Sequence, residues 1–208
     1  MKTSERNFHL IVWGATGFTG KLVVEYLLER YGVNQDLCWA IAGRSGSKLE
    51  ALKGELGDVA RELPVLTADS HDLPSLHALV SQTRAVISTV GPYAVYGSEL
   101  VAACVEQGTH YCDLAGEVQW MRKMIDLYEP AASKSGARIV HACGFDSIPS
   151  DIGVYYLQRE AMHKFGMPCS KVKMEYRKFK RYIATIPNVL NVAGYRYFVQ
   201  FTPRRCLS

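Results

Sequence analysis

One stretch near the N-terminus, Phe8 to Gly20 (F-H-L-I-V-W-G-A-T-G-F-T-G), constrains the fold more than any other. Its apolar core, Leu10-Ile11-Val12-Trp13, has the length and β-branched content of a buried strand. The run stops at Gly14, and glycines recur at Gly17 and Gly20 in a G-x-x-G-x-x-G turn. Leu22, Val23, Tyr26 and Leu27 then repeat as one face of a helix that ends at Gly32. Strand, glycine turn and helix together predict the first unit of a dinucleotide-binding fold. The glycines would supply a tight turn, close approach of backbone to a pyrophosphate, and close helix–strand packing. Free N–H groups at the helix start would face the phosphates.

The rest of the chain repeats the alternation. Strands are expected at 38–43, 63–69, 85–90, 110–114 and 138–143, with helices at 47–56, after Asp72, at 98–107 and around Trp120 to Tyr128. Asp72 is placed to cap its helix, Pro74 falls in the first turn, and Pro130 should end or kink the helix of Trp120. Trp120, Met121, Met124, Ile125 and Tyr128 recur at helical spacing and read as core. This order predicts an α/β doubly wound parallel sheet, a Rossmann fold. It should occupy residues 1–165, with 166–208 as the start of a second, α+β substrate domain. A helix over 151–165 leads to an alternating, half-exposed strand at 171–177, whose unfinished edge should expose Val172, Met174 and Tyr176.

Charge divides the chain in the same place. Seven basic and no acidic residues follow Glu175, so residues 1–175 carry 17 basic against 20 acidic side chains. The body is not a nucleic-acid binder on charge grounds. Six scattered cysteines form no C-x-x-C pair, no metal site is expected, and buried free thiols suit a reducing compartment. The N-terminus leaves no room for a signal peptide and no apolar run is long enough to span a bilayer, so a cytoplasmic location is expected.

Chemistry is expected at the carboxyl ends of the strands. The second strand ends in Gly43 and Arg44 with no carboxylate before Glu50, favouring a 2′-phosphate and hence NADP(H). Asp69 and Ser70 end the third strand at the adenine edge, and the loop from Gly91 to Gly97 follows the fourth, beside the nicotinamide half. The Tyr-x-x-x-Lys pair that a short-chain dehydrogenase needs occurs at Tyr176–Lys180, in the wrong place, and Cys143 in a strand is a poor nucleophile for a semialdehyde dehydrogenase.

G-A-T-G-F-T-G, A-G-R-S, V-G-P-Y-x-x-Y-G, Y-C-D-L-A-G-E and G-F-D-S-I-P-S-D, in this order, resemble the saccharopine dehydrogenase-like oxidoreductases, including the branch of trans-acting enoyl reductases. The resemblance covers roughly residues 7–176 and implies NADP(H)-linked hydride transfer to a carbonyl, imine or enoyl substrate, small or lipid. It puts Gly14, Thr16, Gly17, Phe18, Thr19 and Gly20 on the pyrophosphate, and Arg44 and Ser45 on the ribose phosphate. Gly91, Pro92 and Tyr93 would line the nicotinamide side, with Tyr93 either a proton donor or a packed lid. Asp113, Glu117 and Asp146 become candidates for substrate contact or proton handling, with capping and loop hydrogen bonding as their structural alternative. Members of the family run about twice as long, so the expectation includes a truncated or regulatory NADP-binding module without catalysis. A homodimer is left open.

Overall fold

Period-two alternation along the first strand decides on which side each helix packs. The computed structural model describes residues 6–33, 35–176, 179–180, 191–192 and 195–200. In β1 (Phe8–Trp13), Ile11 and Trp13 face one layer and Val12 the other. Val12 joins Trp39 and Ile41 of β2 (Trp39–Gly43) against α1 (Phe18–Tyr31) and α2 (Gly46–Leu56). Ile11 and Trp13 join Ala40 and Ala42 against α3 (Leu73–Val80), α5 (Ser98–Gln107) and α6 (Val118–Ser135). Both faces of the sheet are therefore apolar, which is why β2 reads as an unbroken apolar run.

The six strands, completed by β3 (Val65–Thr67), β4 (Thr83–Ser88), β5 (His110–Asp113) and β6 (Ile139–Val140), are parallel and lie in the order β3-β2-β1-β4-β5-β6. The order reverses between β1 and β4, and ligands of such sheets bind outside the carboxyl ends of the strands at that switch. A short helix, α4 (Tyr93–Tyr96), forms inside the loop after β4.

Several local expectations need correction. The buried stripe of α1 is Gly20, Val24 and Leu27, whereas Leu22 and Tyr26 are exposed. Gly20 sets that rotation, because a Cβ there would lie 2.2 Å from the Gly14 carbonyl oxygen. Asp72 occupies the N-cap of α3 without a side-chain cap bond. The bridging is done by Ser75, whose hydroxyl donates to the Asp72 carbonyl and accepts from the Asp69 N–H. Pro130 sits inside α6, which runs on to Gly136. Trp120 and Met124 of that helix are buried, but Ile125 is exposed. β6 is only two residues long, shorter than its apolar run suggested.

The chain divides into two units, Met1–Cys143 and Gly144–Ser208, so α7 (Ile148–Phe165) is grouped with the second, whereas the sequence reading counted it with the first. In that unit β7 (Lys171–Tyr176) pairs antiparallel with β10 (Tyr195–Gln200), a partner the weak periodicity of the tail did not announce. β8 (Phe179–Lys180) and β9 (Asn191–Val192) form a second antiparallel pair. Arg177, Lys178, Arg181, Arg204 and Arg205 of the expected basic tail lie outside the described residues, as do the side chains of Met174 and Tyr176.

Candidate cofactor groove and the β4–β6 edge

The turn after β1 is built from backbone. Gly14 adopts φ +87°, and its N–H and that of Ala15 donate to the Ala42 carbonyl at 2.9 and 3.3 Å. A Cβ at Gly14 would lie 2.5 Å from Val90 Cγ2, so this position is closed to side chains by both conformation and space. The Thr89 hydroxyl ties the turn to β4 by donating toward the Trp13 and Gly14 carbonyls, at 3.1 and 3.2 Å. Gly17 is the N-cap of α1, with extended backbone (φ −75°), no side-chain cap and no acidic residue in the first turn. The first N–H groups of a helix have no partner within it. Here they are left to the solvent side of the turn, where an anion is favoured.

This turn forms one wall of a groove of about 340 Å³ at the carboxyl edge of the sheet. Gly14, Thr16 and Gly17 come from the turn, and Gly43 and Arg44 from the end of β2. Asp69, Ser70 and His71 follow β3, Thr89 to Gly91 follow β4, and Tyr96 closes α4. Arg44 is exposed and no ion pair among the described residues holds it. Trp13 also lines the groove, and its indole Nε1 is buried without a hydrogen-bond partner. An uncapped helix start, a glycine-lined floor and an unpaired guanidinium at the far end fit a phosphorylated dinucleotide.

Across β4, β5 and β6 the same edge is built from side chains. Both Glu117 carboxylate oxygens accept backbone bonds, from Tyr93 N–H at 2.6 Å and Ala94 N–H at 2.8 Å, and so hold the start of α4. Tyr93 is buried. Its hydroxyl donates to the Ser88 carbonyl at 3.1 Å and accepts from Leu114 N–H at 3.2 Å. Burial pushes this phenol up to about 12, the Leu114 N–H opposes the shift, and the Asp113 and Glu117 carboxylates add to it. Asp113 is 1% exposed and fully engaged. One oxygen accepts from Ala115 and Ala142 N–H, and the other accepts from His141 Nδ1 at 2.6 Å. Ala142 has φ +58°, the one positive value at a non-glycine among the described residues. Trp120 stacks on Tyr93 (ring centroids 5.5 Å apart) and meets His141 edge-on at 5.1 Å.

Of the residues singled out from sequence, Gly14, Thr16, Gly17, Arg44, Asp69, Ser70 and Gly91 line the groove together. Phe18 and Thr19 open α1, and Gly20 faces the Gly14–Ala15 backbone of the turn. Ser45 caps α2, its hydroxyl accepting from Lys48 N–H at 3.4 Å, and Pro92, joined to Gly91 by a cis bond, precedes α4. Glu117 and Asp113 make capping and loop hydrogen bonds, and Tyr93 is buried with its hydroxyl bonded to Ser88 and Leu114. Asp146 is exposed in the turn ahead of α7, in the second unit. His71, Tyr96, Thr89 and His141 were missed. Each lies in or just outside a motif but acts on a residue far away in sequence, so no local pattern marks it. Cys143 and Cys112 carry thiols whose pKa values burial raises, Cys112 to about 12, in keeping with the reading of Cys143 as a poor nucleophile.

The sequence profile of the saccharopine dehydrogenase NADP binding domain matches residues 10–140. A Mycobacterium tuberculosis relative is 45% identical over 180 residues, 86% of this chain and 42% of its own length. A protein of Mycobacterium ulcerans named trans-acting enoyl reductase is 40% identical over 181 residues, 87% of this chain and 43% of that protein. The chain thus spans about two fifths of the length of the curated relatives it matches. Among solved structures, yeast saccharopine dehydrogenase (L-Glu forming) superposes with a TM-score of 0.58 at 20% identity, covering 81% of this chain and 33% of that one, a likeness of fold. The profile spans the glycine turn, Arg44, the loop after β4 and the Asp113–Glu117 segment, so the chain belongs to the saccharopine dehydrogenase NADP-binding domain family and its cofactor is NADP(H).

Proposed function

We propose that this chain is the cofactor-holding part of a reductase that adds hydride to a polarised double bond, an enoyl group first, with carbonyl and imine groups as variants of the same chemistry. The observation that carries the reading is the groove itself: an uncapped helix start and an unpaired Arg44 lining one glycine-floored crevice. The enoyl assignment draws on the name of the relatives at 40–45% identity. When bound, NADPH supplies the hydride. The residues of this chain hold and orient it. The α1 start and the Thr16–Gly17 backbone receive the pyrophosphate, and Arg44 pairs with the 2′-phosphate. Gly91 and α4, fixed by Glu117, form the wall next to the nicotinamide. In this reading Tyr93, Asp113 and Glu117 are positioning residues, since their polar atoms are already used internally. Asp146, the exposed one of the three candidate carboxylates, belongs to the second unit and is assigned substrate contact from its sequence motif alone.

The test is label transfer. NADPH deuterated at C4 on one face or the other is mixed with the protein and crotonyl-pantetheine, an aldehyde or a cyclic imine, and the products are read by mass spectrometry. The reading expects deuterium at the β-carbon of the enoyl probe from one face only. Tight NADPH binding with no label in any of the three would sink hydride transfer and leave a binding module. Label in the carbonyl or imine probe alone would overturn the enoyl assignment.

A further inference from the structure

Tyr96 and His71 lie on opposite sides of the switch point, yet their rings touch. His71 follows β3 at one edge of the sheet, whereas Tyr96 ends α4 in the loop after β4, and β2 and β1 lie between those strands. Their ring centroids are 5.5 Å apart with the planes tilted by 47°, so they form a wedge over the groove that both line. The backbones behind them are fixed. His71 N–H donates to Asp69 Oδ1 at 2.9 Å, and Tyr96 N–H donates to the Pro92 carbonyl at 3.1 Å within the helix that Glu117 holds. The rings themselves are free to turn: His71 is exposed, and neither its ring nitrogens nor the Tyr96 hydroxyl makes a hydrogen bond among the described residues.

The neighbours of the wedge say what it takes. Gly43, Arg44, Asp69 and Ser70 share its end of the groove, on the β2–β3 side where the adenosine half of a dinucleotide lies. A flat purine stacks on aromatic faces, and Asp69 keeps Oδ2 for its exocyclic amine. Centroids 5.5 Å apart are too close for a base between two parallel faces, so one ring must swing aside.

We propose that Tyr96 and His71 form the adenine subsite: the base stacks on Tyr96, and His71 rotates off the tyrosine to cover the outer face. The loop that borders the nicotinamide thereby also grips the far end of the cofactor. Arg44 chooses between NADP(H) and NAD(H); this pair holds what the two share. The inference does not depend on the substrate, so it survives a failure of the enoyl assignment.

Calorimetric titration of the 208-residue protein with 2′,5′-ADP, NADP+ and NAD+ tests it. Tyr96→Ala should weaken all three by a common factor of about 10 or more, His71→Ala by about 3- to 10-fold, and Tyr96→Phe by less than about 2-fold. The ratio of NADP+ to NAD+ affinity should stay at the parent value in each. Wild-type 2′,5′-ADP should also show nuclear Overhauser contacts from adenine H2 or H8 to ring protons of Tyr96 and His71, a measurement that needs no variant to fold. Unchanged affinity in Tyr96→Ala, tighter binding in His71→Ala, a changed cofactor ratio, or absence of those contacts would each overturn the subsite.

Discussion

The two halves of the sheet edge are made by different means. Around β1 and α1 the edge is backbone: Gly14, Gly17 and Gly20, three residues apart, place carbonyls, N–H groups and a helix start with no side chain in the way. Around β4, β5 and β6 it is side chains: Glu117 reaches back to Tyr93 and Ala94, and Asp113 reaches forward to His141 and Ala142. The first construction leaves donors open for a ligand. The second spends the Glu117 and Asp113 carboxylates and the Tyr93 hydroxyl on itself and so fixes a wall, while Ser88 Oγ, Tyr111 Oη and His141 Nε2 stay buried without a hydrogen-bond partner among the described residues. Carboxylates at such an edge invite a catalytic reading, but buried ones must first satisfy their own hydrogen bonds.

That contrast breaks most visibly at Asp113. Truncating it to alanine strands two backbone N–H groups and an imidazole in a site that is 1% exposed. The loss of folding stability should be about 3–5 kcal/mol by chemical denaturation. A loss under about 1 kcal/mol would mean that the β5–β6 edge does not rest on side chains.

The backbone half is probed by two glycines of one turn. Gly20→Ala pushes a methyl to 2.2 Å from the Gly14 carbonyl oxygen, against backbone that cannot swing away. It should cost about 3 kcal/mol of stability. Gly17→Val meets only the Gly14 oxygen, at 3.3 Å, from extended backbone that any residue adopts. It should leave the fold within about 1 kcal/mol of the parent and abolish the NADPH-induced thermal shift, because the branched side chain takes the space of the pyrophosphate. A normal shift in Gly17→Val would move the phosphate site elsewhere.

The same contrast explains what could be read from the sequence. The glycine turn, the alternation of parallel strands with helices, and the place of Arg44 at the end of β2 were legible because their partners are neighbours in the chain or follow from that alternation. The rotation of α1 was not. Leu22 and Tyr26 look like its buried face, and only the Gly20–Gly14 contact shows that they point outward. Glu117 and Tyr93 are 24 residues apart, and Asp113 and His141 are 28 apart, distances over which no periodicity carries information. Their motifs could be seen as unusual, but whether a carboxylate faces ligand or backbone depends on packing that the sequence does not state. Asp72 holds the expected N-cap place of α3 but makes no side-chain cap bond, and the Ser75 hydroxyl that joins the Asp72 carbonyl to the Asp69 N–H is likewise invisible to the local pattern.

Arg44 sharpens the comparison within the groove. It contributes a side chain to an otherwise backbone-lined crevice, and nothing among the described residues neutralises it. Arg44→Ala should weaken NADP(H) binding by about 1.5–3 kcal/mol and leave NAD(H) binding nearly unchanged, as read by calorimetry. Equal parent affinities for the two cofactors would show that the 2′-phosphate is not recognised there.

The smallest expected effect lies at Tyr93 and appears only in alkali. Its phenol, ordinarily near 10, is pushed up to about 12 because burial opposes the phenolate, with Asp113 and Glu117 adding to the effect. The folded chain therefore holds this proton more tightly than the unfolded chain. The stabilisation is present in full below pH 10 and is lost as pH rises through about 12. Cys112, pushed from 9 to about 12, acts with the same sign over a slightly wider window, so the parent protein should lose stability steadily there. Tyr93→Phe removes one of these groups and leaves Cys112, Cys104, Cys143, Tyr111 and Tyr128, all raised by burial, as they are. Its neutral-pH stability should fall by about 1 kcal/mol through the lost bonds to Ser88 and Leu114. Between pH 9 and pH 11.5, by contrast, it should lose about 1–2 kcal/mol less than the parent, measured by urea unfolding at each pH. Parallel losses in the two proteins would place the phenol in contact with water, and the β4–β5 edge would then be open to a substrate after all.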